Sequence, residues 1–192
     1  MCAFLEEAFD CAPFGGCVDS LCQDPVVSAT AFGQLVITEF LRDSPQPAPD
    51  HGEWVEFLNV TDTPLDLRAC TLEPTGYQIS GAVPKMLWPG QYAVLGSELL
   101  DLMTISAPGA LVIETSLLAL PNVVGNLQIH CNGAVIDDIS YSLGWPGALD
   151  AAAQLSPSSA QPLATTNDAP EAWCEASMDG GSPGGVNPPC GD

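Results

Sequence analysis

From Gly33 onward the chain is cut into short apolar, β-branched runs, each bounded by Gly, Pro or Asn, and this punctuation leaves little room for any architecture but an all-β one. The runs are "QLVITEFL" (34–41), "EWVEFLNV" (53–60), "PLDL" (64–67), "CTLEP" (70–74), "WPGQYAVLG" (88–96), "ALVIE" (110–114), "TSLLAL" (115–120), "NLQIHCNGAVIDDISY" (126–141) and "AAAQLS" (151–156). Their spacing is that of β-sandwiches and barrels. The three prolines of "RDSPQPAPDHG" (42–52) exclude a central strand there. In "EWVEFLNV", Trp54, Glu56 and Leu58 alternate with Val55 and Phe57, which predicts a strand buried on one face. Two pieces are helix-compatible: "AFLEEAF" (3–9) and "SELLDL" (97–102).

Asn132-Gly133 is the preferred dipeptide for a two-residue type I′ hairpin, whose central positions both need positive φ. The expected register sets Cys131 opposite Ala134, Ile129 opposite Ile136 and Leu127 opposite Asp138. Burying the apolar face would then turn Asp138 inward and leave Ile139 and Tyr141 outside, a costly exchange. A β-bulge at Asp137–Asp138 is therefore expected, returning Ile139 and Tyr141 to the core.

Eight cysteines, an even number, in a chain with 18 Gly and 18 Pro predict disulfides and an oxidising compartment. Cys131 shares the buried face with Ile129, and Cys70, opening its own strand, is its expected mate. Cys174 and Cys190 would close a C-terminal loop that has no regular structure of its own, with Trp173 pinning its start; the chain-entropy gain is about 3 kcal/mol. Cys2, Cys11, Cys17 and Cys22 crowd the first residues, too few to build a core, and read as a stapled cap with three internal pairings open. Their spacing lacks the close pairs of a zinc site. Residues 1–32 are thus expected to be a cysteine-rich extension and residues 33–192 one domain. The start, "MCAFLEEAFD", has no basic segment followed by an apolar run, so a mature or trimmed form, or a start other than Met1, is expected; Cys2 also has the position of a lipid-bearing cysteine.

Three Lys and Arg against 24 Asp and Glu give a formal net charge of −21, from which no basic patch for nucleic acid can be assembled. Such acidity suits solubility in an exterior environment, or collection of Ca²⁺ by hard oxygen ligands. The candidate Ca²⁺ ligands are Asp43, Asp50 and Glu53, around the Pro-rich loop, although no Asp-x-Asp-x-Asp-Gly pattern is present. Hydrolytic triads need a base, and only His51 and His130 are available; His130 should point out of the hairpin, beside Val135. Glu53 and Glu56 fall on opposite faces of a strand, unsuited to paired acid chemistry. Asn59-Val60-Thr61 fits a glycosylation sequon, read here as chance. No apolar run is long enough for a membrane-spanning helix.

Taken in order, "LVITEF", "GEWVEFLNVTDTPLDLRACTLEP", "LWPGQYAVLG", "NLQIHCNGAVIDDISYS", "NDAPEAWCEA" and "GGSPGGVN" resemble the lamin tail domain family, particularly its secreted bacterial members. The ordered set runs over roughly residues 33 to 187. It departs from the family pattern at Ser182, where Thr is usual, and leaves the first 25 residues uncovered. The resemblance implies an immunoglobulin-like β-sandwich with no shared catalytic centre. The expected function is a secreted structural or adhesive surface protein, not an enzyme, whose partner is another protein or other copies of itself in an extracellular assembly. A Ca²⁺-dependent ligand-binding module is the alternative expectation; no other cofactor is implied.

Overall fold

The computed structural model describes residues 28–44, 52–97, 109–115, 118–147, 149–157, 162–177 and 180–190, together with the backbone of four short strands nearer the start. Those four are β1 (Cys2–Phe4) paired with β2 (Glu7–Phe9), and β3 (Cys17–Val18) paired with β4 (Leu21–Cys22). The helix-compatible piece over 3–9 instead contributes two antiparallel strands, whose cross-strand ladder offers more than a single isolated helical turn could. The second helical candidate, 97–102, lies outside the described residues beyond Ser97. Elsewhere the only helical turns among the described residues are 3-10 turns at Leu67–Ala69 and Pro170–Ala172.

The body of the chain is all-β. The strands are β5 (Leu35–Leu41), β6 (Trp54–Asn59), β7 (Leu65–Asp66), β8 (Cys70–Glu73), β9 (Tyr77–Gln78), β10 (Met86–Leu87), β11 (Tyr92–Gly96), β12 (Leu111–Glu114), β13 (Gly125–Cys131), β14 (Ala134–Tyr141), β15 (Ala153–Leu155) and β16 (Trp173–Glu175). A six-stranded sheet has the order β12-β11-β6-β5-β15-β16, a four-stranded sheet the order β14-β13-β8-β9, and β7 pairs with β10. All pairings are antiparallel except β11 with β12. Leu118 and Leu120, expected in a strand, are buried but sit in no ladder.

One apolar cluster takes side chains from both large sheets, Leu35, Ile37, Phe40, Val55, Phe57 and Leu95 from one, Leu72, Leu127, Ile129 and Ile139 from the other. Trp173 lies buried against Phe40 and Trp145, ring centroids 5.5 and 6.0 Å away, and its indole N–H donates to the Asn167 carbonyl at 2.7 Å. That anchor is the one expected, but the residues around it are a true edge strand: Leu155 pairs with Trp173 and Gln154 with Cys174. The C-terminal segment therefore does have its own ladder at its start, because β15 offers an unpaired edge.

Cys70 and Cys131 are directly opposed on β8 and β13 and are bonded, as are Cys174 and Cys190. The hairpin turn has φ 52° at Asn132 and 80° at Gly133, the type I′ pattern. The bulge comes one step earlier than expected: Ile129 pairs with Asp137 and His130 with Val135, leaving Ile136 as the extra residue. Ile139 and Tyr141 do return to the buried side, but the acid turned inward is Asp137 rather than Asp138. The position is set by β5, since the Gly33 N–H donates to the Ile136 carbonyl at 2.7 Å and the Ile37 N–H to Asp137 Oδ2 at 2.7 Å.

Candidate functional site

The central strands of the six-stranded sheet are buried on their outer face too, so β6, expected to be half exposed, is buried along its whole length. The cause is the C-terminal loop, folded over that face, and two glutamates beneath it make this the candidate site. In β5 the register slips at Thr38: Ile37 pairs with Phe57, but Glu39, not Thr38, pairs with Glu56. The slip reverses the alternation, so Phe40 stays in the core while Glu39 joins Glu56 outside. A lateral row of opposed positions then crosses all six strands: Cys174, Gln154, Glu39, Glu56, Val94 and Ile or Val neighbours of β12, here Val112.

The loop follows this row. Starting from the Cys190 bridge to Cys174, the Pro188 carbonyl accepts from Gln154 Nε2 at 2.7 Å. Asn187 Nδ2 donates to the carbonyls of Thr38 (2.8 Å) and Leu155 (2.9 Å). The Ser182 N–H donates to both Glu39 oxygens, at 3.0 and 3.2 Å, and its hydroxyl to Oε2 at 3.1 Å. The Gly184 N–H donates to Glu56 Oε2 at 2.7 Å, and the Thr38 hydroxyl to Oε1 at 2.6 Å. Gly181 has φ +86°, and a Cβ there would lie 2.4 Å from Glu39 Oε1 and 2.8 Å from the Ala152 Cβ, so only glycine lets the backbone approach so closely.

Glu39 and Glu56 are both fully buried. Burial pushes the Glu39 carboxyl up to about 7 against the pull of the Ser182 hydrogen bonds. Burial, then the neighbouring Glu39, pushes Glu56 well above the ordinary carboxylate range. Tyr92, on the next strand, is pushed up to about 12 by burial and by both glutamates. None of the chain's three cationic side chains compensates: Arg42 Nη2 donates to the carbonyls of Trp145 (3.2 Å) and Gly147 (2.6 Å), Arg68 pairs with Asp66 at 2.6 Å, and Lys85 extends beside Gly81.

The other buried acids also serve the frame. Asp137, pushed up to about 7 by burial, accepts from the Ile37 N–H, from Asn167 Nδ2 at 2.7 Å and from the Asp138 N–H at 2.9 Å. Glu53 is buried and accepts from the Leu120 N–H at 2.6 Å, while Asp43 accepts from Asn122 Nδ2 at 3.1 Å. Of the Ca²⁺ candidates these two thus have separate internal partners, and Asp50 lies outside the described residues. Among the described residues no group of three or more His, Cys, Asp or Glu is placed to hold a metal ion. The side chains of Cys2, Cys11, Cys17 and Cys22, and all of His51, also lie outside them. His130 stands opposite Val135, as expected, with Nε2 3.1 Å from Gln128 Oε1. Asn59 of the sequon is fully buried: Nδ2 donates to the carbonyls of Thr63 (2.9 Å) and Leu87 (2.8 Å), and Oδ1 accepts from the Thr61 N–H and hydroxyl.

Sequence reasoning weighed Glu56 against Glu53 and missed Glu39, its actual partner. The available signal was the placement of one Glu at the centre of each of two otherwise apolar strands, with a Gly-rich closing segment rich in free amides to receive them. Comparison of the chain with protein-family models, curated proteins and solved structures gave no match.

Proposed function

We propose that the chain is a secreted structural or adhesive surface module, an immunoglobulin-like β-sandwich of lamin-tail type whose partner is protein, including other copies of itself. The observation that carries this reading is the engagement of the buried acids. Glu39, Glu56, Glu53 and Asp137 all accept hydrogen bonds from the protein's own backbone, so the groups best able to do acid–base chemistry serve as clamps between segments distant in sequence. Two disulfides fit an oxidising compartment, and no described helix is long and apolar enough to cross a membrane. The net charge of −21 makes any self-association strongly dependent on ionic strength, because like-charged copies must be screened before they meet.

Light scattering coupled to size exclusion, with electron microscopy, over a range of protein and salt concentrations tests the proposal. Oligomers or filaments that grow with concentration and salt are expected. A strictly monomeric species under every condition removes the assembly, and turnover of a hydrolase substrate that is abolished by changing Glu39 or Glu56 would overturn the non-catalytic reading.

A further inference from the structure

The loop over the six-stranded sheet combines four features that together make a reversible device. The middle of the loop is held by two acids that oppose each other directly, Glu39 and Glu56, while its end is held by Asn187 and Pro188 bonded to Thr38, Leu155 and Gln154. The loop's donors are the Ser182 amide and hydroxyl and the Gly184 amide, and the amides cannot reposition without moving the loop. Among the described residues no cation faces the pair; the titratable neighbours there are Glu39 and Glu56 themselves and Tyr92 of β11, with neutral Thr38, Gln154, Ser182 and Asn187 from the remaining elements packed there. The Cys174–Cys190 bridge ties the loop's far end to β16, so a lifted loop stays attached and can reseat.

We propose that residues 180–188 are a proton-controlled latch, seated while the Glu39–Glu56 pair retains a proton and released from the sheet, still tethered by Cys174–Cys190, when both carboxyls have given up their protons to solvent. Two adjacent carboxylates under a dry cover repel each other and lack the hydration that lifting the loop restores. The direction follows from linkage. Seated, Glu39 holds its proton up to about 7; uncovered, it returns toward its ordinary 4.5. Release is thus disfavoured below the ordinary value and becomes easier as pH rises, by up to about tenfold per pH unit for each carboxyl, levelling off once the seated value is passed. Glu56, pushed well above its ordinary range by burial and then by Glu39, acts in the same direction. What release uncovers is Trp54 and Ala152, against which Gly181 packs, members of an apolar cluster beside two negative charges.

Amide hydrogen exchange on the intact, oxidised chain, corrected for intrinsic pH dependence, tests this between pH 5 and pH 8. The Ser182 and Gly184 amides are expected to lose at least tenfold in protection and to stay, at every pH, less protected than the β8 and β13 amides, which exchange only on global unfolding. In the Glu39→Gln, Glu56→Gln double variant their protection should be independent of pH. Constant protection of Ser182 and Gly184 in the wild type, protection of these two amides equal to that of β8 and β13 at every pH, or a loss that persists in the double variant overturns the latch. Should the double variant not fold, the wild-type series and Glu39→Gln alone decide: the single variant must flatten the response or the proposal fails.

Discussion

Glu39 and Glu56 face one another across the β5–β6 ladder, both fully buried, with every contacting donor supplied by a neutral group. Together with Asp137 they form a set of acids whose folded state holds protons that the unfolded chain releases. The folded values of Glu39 and Asp137 lie at about 7, against 4.5 and 3.8 when free, so the unfolded state binds fewer protons between these limits and stability falls as pH rises. The melting temperature should be higher at pH 5 than at pH 8 by roughly 10–20 °C, corresponding to about 5 kcal/mol for the two groups together. Calorimetry at the two pH values checks it, and a higher melting temperature at pH 8 would contradict it.

The two neighbouring glycines of the loop should respond differently. Gly180→Ala meets nothing within 4 Å and suffers only its φ of +76°, a cost of about 1 kcal/mol. Gly181→Ala adds collisions with Glu39 and Ala152 to a similar φ, and should cost about 3 kcal/mol or unseat the loop. Urea denaturation of both variants measures the gap; equal costs would mean that the loop does not lie where Gly181 places it.

The sequon at Asn59 should remain unmodified when the protein is made in a glycosylating host, because both amide protons are engaged inside the fold. Asn59→Ala leaves two carbonyls and the Thr61 amide without their partner and should destabilise by about 2–4 kcal/mol. Intact mass and a melting curve check both statements.

A chelator should leave the melting temperature unchanged, since Asp43 and Glu53 are occupied by Asn122 and Leu120. A bound ion stabilises the native state by mass action, so a fall in melting temperature on chelation, reversed by added Ca²⁺, would establish the Ca²⁺-dependent module instead.

Features fixed by neighbours in sequence were legible in it, and features fixed by distant contacts were not. Asn132-Gly133 dictates its turn and thereby the pairing of Cys131 with Ala134, and the apolar face of that hairpin leads to the Cys70–Cys131 bridge. Alternation requires a bulge in β14, but its place is chosen by Ile37 of the other sheet and by Gly33 just before it, some 100 residues away, which no local pattern encodes. The same limit hid the site. Alternation puts Glu39 in the core; only the slip at Thr38 turns it beside Glu56, and only the loop from residue 180 onward makes the outer face of β6 dry. The short β16 escaped notice because "WCE" gains strand character from the waiting edge of β15 rather than from its own composition.

The account rests on a C-terminal loop stapled across one sheet and a second staple within the other, and peptide mapping of the native protein without reduction tests that most directly. It should recover Cys70 linked to Cys131 and Cys174 linked to Cys190, the two bridges that the opposed strands and the seated loop require. Recovery of any of these four as a free thiol, or linked to one of the first four cysteines, would contradict it.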